Sequence, residues 1–471
     1  MAPTFLYAQL AHEIIHLIDK GTFQPGERLP SLRSLSENRQ VSIATVSQAY
    51  LHLEAQGYLE ARPQSGFYVC HRPPVLALPH STSAPDAPAQ VGKNAFISQI
   101  LDESRRPGIL PLGSTILDPS FLPVKHLSRL IARLAGSPEN HTYVPTAGFE
   151  GLRRQIARRT LDSARPIGFQ EVVITSGCME ALNLALRTLA QPGDLVAVES
   201  PTFYGILQAI ESLGMRVLEL PTDPSTGLDL DALEQALKQH PIRVLLSIPS
   251  FQNPLGTCMP VENKLRLLAI AARSGLQIIE DDIYGEFYFR EPPPTLFSLD
   301  RQQSVLLCSS FSKTLAPGFR VGWALPGSHF ETFLQLKRMT SLGTASLQQL
   351  VIAEYLASGA YERHLRRLRP QLERSLFQAL QIISQHFPQG IRVSRPEGGF
   401  ILWLELPPGT SVMDIYKQAL SAGISIAPGP LFSNRELEYP ALRLSLNLPW
   451  GERLEQALYQ LGAILRQNMC H

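Results

Sequence analysis

Residues 309–320 read Ser309-Ser310-Phe311-Ser312-Lys313-Thr314-Leu315-Ala316-Pro317-Gly318-Phe319-Arg320. One lysine stands among small hydroxyls, just past the aliphatic run Val305-Leu306-Leu307, with Pro317-Gly318 and an arginine shortly after. Similar runs lie upstream at Val172-Val173-Ile174-Thr175, Leu195-Val196-Ala197-Val198, Val244-Leu245-Leu246-Ser247 and Leu276-Gln277-Ile278-Ile279. Their length and aliphatic content predict buried strands. Helical patterns, as at 180–189 and 262–272, separate several of them. Strands alternating with helices predict an α/β body built on a mainly parallel sheet, over residues 95–471.

Polar residues collect at the ends of these runs. Ser176-Gly177-Cys178-Met179 lies where a strand passes into a helix, and backbone N–H groups at a helix N-terminus favour a phosphate. Tyr204, in Glu199-Ser200-Pro201-Thr202-Phe203-Tyr204-Gly205, offers a flat ring. Asn253 opens the turn Asn253-Pro254-Leu255-Gly256. Asp281 closes the strand after Glu280, and Tyr284 follows three residues later. With Lys313 and Arg320 these meet the needs of one cofactor, pyridoxal 5′-phosphate (PLP), which a protein must orient and tune. Lys313 would form the imine and Asp281 would keep the pyridine nitrogen protonated. Asn253 and Tyr284 would donate to the 3′-oxygen, and Tyr204 would cover the ring. Gly177, Cys178, Met179, Ser310, Ser312 and Arg320 would hold the phosphate. Nearby cations and desolvation would lower the lysine pKa and favour the neutral amine. Taken singly these signals are weak, since an Asn-Pro is more often a turn and a lysine more often on the surface. Their order along the chain is hard to reach by accident.

The first 72 residues have a different pattern. Apolar positions at Leu6, Leu10, Ile14 and Ile18 predict one amphipathic helix, stopped at Gly21. After the Pro25-Gly26 turn, Ser31 caps a second helix and Ser42 a third, whose buried face carries Val46, Tyr50 and Leu53. Two short strands around a polar turn, at 58–61 and 66–69, complete the outline of a winged helix-turn-helix. In that motif the second helix meets base edges in the major groove. Here its first turns carry Ser42, Ile43, Thr45, Ser47 and Gln48. Arg33 on the preceding helix is placed for a phosphate, and Gln64 and Gly66 in the hairpin turn for the neighbouring backbone. Charge gives no support: residues 1–72 hold six Lys and Arg against six Asp and Glu. A lone Ser or Thr at a helix start is most often only a cap.

Residues 73–94, with Pro73, Pro74, Pro79, Pro85 and Pro88 among Ala and Ser, predict an extended linker that lets the two parts move. Length of 471 residues fits two or three domains, and the net charge of +1 excludes a strongly basic protein. No apolar run is long enough to span a membrane. The start of the chain does not read as a signal peptide, and five scattered cysteines suit reduced thiols, so a cytoplasmic protein is expected. The histidines show no metal spacing, and no metal is expected. The basic run Arg363, His364, Arg366, Arg367, Arg369 predicts a solvated helix face, kinked at Pro370. Trp403 is expected in the core.

The motifs Pro25-Gly26-Glu27-Arg28-Leu29-Pro30-Ser31, Val41-Ser42, Thr45-Val46, Ala49-Tyr50 and Gly57-Tyr58-Leu59 with Gly66 resemble the DNA-binding head of the GntR regulators. Members often carry arginine where this chain has Ile43; an apolar group there can touch a thymine methyl. The series Asn253, Asp281, Lys313, Arg320 resembles the fold-type-I aminotransferases over residues 95–465. That resemblance implies that Arg443 grips a substrate α-carboxylate and that Tyr143 reaches the phosphate of the other subunit. Head, linker and body together resemble the MocR-type regulators. These are homodimers in which the head of one chain lies against the body of the other. The resemblance implies double-stranded DNA as partner and PLP or an amino-acid or amine effector as ligand. Nothing essential for transamination is visibly missing, so an active aminotransferase stays open as the alternative. So does a PLP carrier with no DNA role.

Overall fold

The computed structural model describes residues 6–469 apart from 21, 24, 25, 56, 63, 64, 70–75, 83–87, 90, 91, 93, 105 and 162. Gln64, Gly21, Pro25, Pro73, Pro74, Pro85, Cys70 and Cys470 therefore lie outside the described residues.

The head forms as its periodicity predicts. Helices Leu6–Asp19, Leu32–Arg39 and Ile43–Ala55 precede a hairpin of Leu59–Arg62 and Gly66–Val69, in register Leu59 opposite Val69. Apolar side chains at Leu10, Ile14, Val46, Tyr50, Leu53, Leu59 and Val69 close its core. Ser31 caps the second helix by accepting from the Ser34 amide at 3.2 Å. The Tyr50 hydroxyl donates to the Pro30 carbonyl at 2.8 Å and so ties the third helix to the turn before the second.

In the body, five parallel strands form the centre of an eight-stranded sheet. Their spatial order is Val305–Ser310, Gln277–Asp281, Ile242–Ser247, Leu195–Ser200, Arg216–Asp223. Gly322–Leu325 pairs antiparallel with the first of these, and Val173–Thr175 lies outside it. The short strand Gly227–Leu228 borders the other edge. Both faces are covered by apolar clusters, which is why the strands read as continuous hydrophobic runs. A four-stranded antiparallel sheet, ordered Arg392–Val393, Ile401–Glu405, Ala441–Ser445, Ala427–Pro428, builds a smaller unit with its own core, Trp403 included.

Two expectations need correction. The described part of the segment 73–94 is bound along the body. Ala77 accepts from the Val393 amide at 2.9 Å, and His80 donates its amide to Glu405 at 2.8 Å. Thr82 donates from Oγ1 to the Ser200 carbonyl at 2.7 Å, and Ala89 exchanges backbone bonds with Val217 at 2.9 and 3.0 Å. An extended chain leaves its backbone groups unpaired, and here two sheets supply partners. The basic run is the second case. It lies on one helix, Ala360–His386, which continues through Pro370. Arg363, Arg366 and Arg367 face solvent, but the His364 ring meets the Thr314 carbonyl at 2.8 Å. Arg369 donates to the Glu286 carbonyl at 2.7 Å and stacks over Tyr288 at 3.6 Å.

The head contacts its own body on this same helix. Gly57 has φ +68°, and a Cβ there would lie 1.7 Å from the ring of Phe377, so the backbone packs flat on that ring.

Candidate cofactor and DNA sites

Parallel strands deliver their loops to one edge, and the body's polar residues converge there. A cavity of about 140 Å³ is lined by Lys313, Asp281, Asn253, Tyr284, Phe203 and Met179, among others. The Lys313 Nζ donates to both the carbonyl and the hydroxyl of Thr115, each at 3.0 Å. Burial, with Arg443 nearby, lowers its pKa to about 8. Asp281 is buried and accepts from the Cys178 thiol at 3.4 Å and the Ile283 amide at 3.2 Å. Burial pushes its carboxyl up to about 6. The same burial holds Cys178 as a thiol, able to donate. Tyr284 is pushed up to about 12 by burial, so its hydroxyl keeps its proton.

The phosphate-type end is pre-formed. No side chain caps the helix Cys178–Leu189, which starts at Gly177 with φ +89°. A Cβ on Gly177 would lie 2.4 Å from Arg320 Nη2, so only glycine lets the guanidinium cross there. Arg320 donates to the Ser176 carbonyl at 3.1 Å and to Ser312 Oγ at 3.4 Å. Ser310 Oγ donates to Ser312 Oγ at 2.7 Å and accepts from the Ser312 amide at 2.8 Å.

Arg443 comes from the smaller sheet and is 1% exposed. It donates from Nη1 to Asn253 Oδ1 at 2.7 Å and from Nη2 to the Gly113 carbonyl at 2.5 Å. Its Nε has no partner among the described residues. An orphaned donor on a buried guanidinium suits an incoming carboxylate. A buried acid, a lysine of lowered pKa, an uncapped helix start and the Arg320–serine pair together fit PLP.

The structure corrects one assignment and adds two residues. Phe203, not Tyr204, lines the cavity. The helix Tyr204–Ser212 starts at Tyr204, which sets Phe203 in its N-cap position and directs Tyr204 toward Phe432 and Arg443 instead. Two adjacent aromatics gave no sequence signal to choose between them. Thr115 and Gly113 lie in a stretch without periodicity, and sequence reasoning missed both. Tyr143 is 91% exposed and is not brought to the cavity within one chain.

In the head, Arg33, Ser42, Ile43 and Gln48 are exposed; Thr45, Ser47 and Gly66 are half-buried. Ser42 Oγ accepts from the Thr45 amide at 3.1 Å and meets its hydroxyl at 2.8 Å, so both serve as a cap. Gly66 has φ +109°, a backbone conformation that favours glycine within the head itself.

Comparison with known proteins agrees with both halves. Residues 110–455 match the family described as aminotransferase class I and II, and residues 6–69 the gntR family of bacterial regulatory proteins. The chain is 40% identical to the HTH-type transcriptional regulator YdcR of Escherichia coli, over 98% of this chain and 99% of that one. It is 37% identical to YjiR of the same organism over the same shares. Among solved structures, LysN, the α-aminoadipate aminotransferase of Thermus thermophilus complexed with N-(5′-phosphopyridoxyl)-L-leucine, superposes with a TM-score of 0.73. It is 33% identical and covers 80% of this chain and 97% of its own. Among the described residues no helix is long and apolar enough to cross a membrane. The chain belongs to the MocR-type regulators, in which a GntR-family winged helix-turn-helix is joined to an aminotransferase class I and II body.

Proposed function

We propose that the chain is a DNA-binding transcription regulator whose body carries PLP on Lys313 and responds to an amino compound or to PLP itself. When bound, PLP supplies an aldehyde that condenses reversibly with amines. The chain's own residues do the rest. Lys313, with its pKa lowered to about 8, presents far more neutral amine near neutral pH than an ordinary lysine does. Asp281 holds a proton at the pyridine nitrogen, and Asn253 and Tyr284 donate to the 3′-oxygen. Phe203 covers the ring. Ser310, Ser312, Arg320 and the uncapped helix start bind the phosphate.

The observation that carries this reading is the double engagement of Arg443 with Asn253 and Gly113. A carboxylate ligand must take the fork away from both. One of these partners belongs to the cofactor site and the other to the segment that includes Thr115. Ligand capture is therefore tied to the position of the smaller sheet. A ligand shifts DNA affinity only by its different affinity for the two body states. The head reads base edges with Ile43, Ser47 and Gln48 and holds phosphates with Arg33, Ser42, Thr45, Gln64 and Gly66. The protein acts as a homodimer, in which Tyr143 reaches the partner's phosphate site.

Footprinting on the DNA beside the protein's own gene, with and without PLP, tests the proposal. A protected sequence whose affinity changes with PLP, and no longer changes in Lys313→Ala, supports it. Fast conversion of an amino acid to its keto acid without selective DNA binding would favour the enzyme instead.

A further inference from the structure

Another chamber of the body lies apart from the cofactor cavity. It holds about 530 Å³ behind the strand end that carries Asp281, and Asp282 lies in its wall. A volume of this size takes a small organic ligand. Aromatic walls come from Phe297, Phe311, Trp323 and Tyr361. Arg159, on the same wall, is held by Glu286 and Glu362, and Arg369 shares Glu286. Those charges are matched to each other.

Two buried atoms in the wall are not matched. Nη1 of Arg165 has no hydrogen-bond partner among the described residues, and neither has Oδ1 of Asp282. Arg165 lies over the Phe297 ring at 4.3 Å and meets Glu171 only at 3.5 Å through its other nitrogen, Nη2. Burial, with Glu280 close by, holds the Asp282 carboxyl above its usual range. Buried polar groups are rarely left without partners, because each costs its desolvation. One of these atoms lacks an acceptor and the other lacks a donor. A ligand that brings an acceptor to the first and a donor to the second satisfies both, as the neighbouring carboxylate and ammonium of one amino acid do.

We propose that this chamber is a second ligand site, for a free amino acid with an aromatic or large apolar side chain. The carboxylate pairs with Arg165, the ammonium with Asp282, and the side chain lies among Phe297, Trp323 and Tyr361. The site is separate from Arg443 and Lys313. It adjoins the cofactor site through the backbone from Asp281 to Tyr284 and through Ser310 and Phe311, which lead to Lys313, so its occupation would be felt there.

Calorimetry on the full chain carrying Arg443→Ala, with the cofactor-site carboxylate grip removed, tests this. The probes are L-phenylalanine, 3-phenylpropionate and 2-phenylethylamine, which carry both charged ends or only one. Saturable binding of L-phenylalanine is expected, weaker by about tenfold to a hundredfold for either single-ended probe. Adding Arg165→Met or Asp282→Asn should weaken L-phenylalanine by a similar factor. Trp323→Phe should keep the affinity and abolish the tryptophan fluorescence change on binding, which locates the ligand even if one charge variant fails to fold. No saturable binding of L-phenylalanine, equal binding of all three probes, or affinity and fluorescence untouched by these substitutions would overturn the proposal.

Discussion

The Lys313 amine is held by Thr115, whose carbonyl and hydroxyl oxygens each accept from Nζ at 3.0 Å. Thr115 also hydrogen-bonds Tyr284, so one hydroxyl links the reactive amine to the tyrosine on the opposite wall. Both acceptors favour the ammonium form, while burial and Arg443 oppose it and prevail, leaving the pKa at about 8.

The rate of PLP capture by the apoprotein should therefore rise with pH, with a midpoint near 8, because only the neutral amine attacks. Thr115→Val removes one acceptor and keeps the carbonyl. The ammonium loses support, and the midpoint should move down by up to about one unit. Stopped-flow capture rates across pH, for the wild type and the variant, measure this. An unmoved midpoint would mean that the hydroxyl contributes no support to the ammonium.

Asp281 stands where function and stability conflict. Its carboxyl titrates at about 6 in the folded apoprotein, against 3.8 ordinarily. The unfolded chain is ionised above about 4 but the folded chain only above about 6. Apoprotein stability therefore falls as pH rises through that window and stays lower above it, by on the order of 3 kcal/mol at most. Asp281→Asn should make the apoprotein more stable at pH 7 and flatten this dependence, while PLP affinity drops by tenfold or more, roughly the loss of one charged hydrogen bond. Thermal melts with and without PLP at pH 4.5 and 7 decide it. A variant no more stable than the wild type at pH 7 would contradict the burial argument.

The parallel strands were readable because both of their faces are buried, so Leu195–Ser200 and Val305–Ser310 appear as unbroken apolar runs. The residues after them were readable because the chemistry needs particular types there. Other features escaped because no local rule marks them. Thr115 is set by a loop without periodicity. Phe203 and Tyr204 differ only by one step of a helix start. The proline-rich strap reads as free chain because its partners, Val393, Glu405, Ser200 and Val217, are more than a hundred residues away. Arg369 reads as surface charge because Glu286, its partner, lies on a turn set by the cofactor site.

Arg443→Ala should separate carboxylate recognition from amine recognition. A ligand with both groups should lose about tenfold to a hundredfold in affinity, and an amine without a carboxylate should lose little. Removing the guanidinium also frees Asn253 from Nη1, so PLP retention itself should survive. Spectral titration of the holoprotein with alanine and with ethylamine measures both. An equal loss for the two ligands would assign Arg443 a structural task only.

The head has no excess of positive charge, so its DNA affinity must come from few contacts, and each should be visible in the salt dependence. Arg33 is exposed on the helix Leu32–Arg39, whose N-cap is Ser31. Arg33→Ala should weaken binding about equally on all sequences and flatten the slope of log K against log salt by about 1. Ile43 is 49% exposed at the first turn of the next helix, with room for a longer cationic side chain. Ile43→Arg should steepen that slope by up to about 1 and raise affinity most at low salt. If the added charge meets a base edge, preference among sequences changes as well; if it meets a phosphate, the ranking stays the same. Titrations at four salt concentrations on the footprinted site and on a scrambled one measure both quantities. A slope unchanged by both substitutions would place the DNA elsewhere on the molecule.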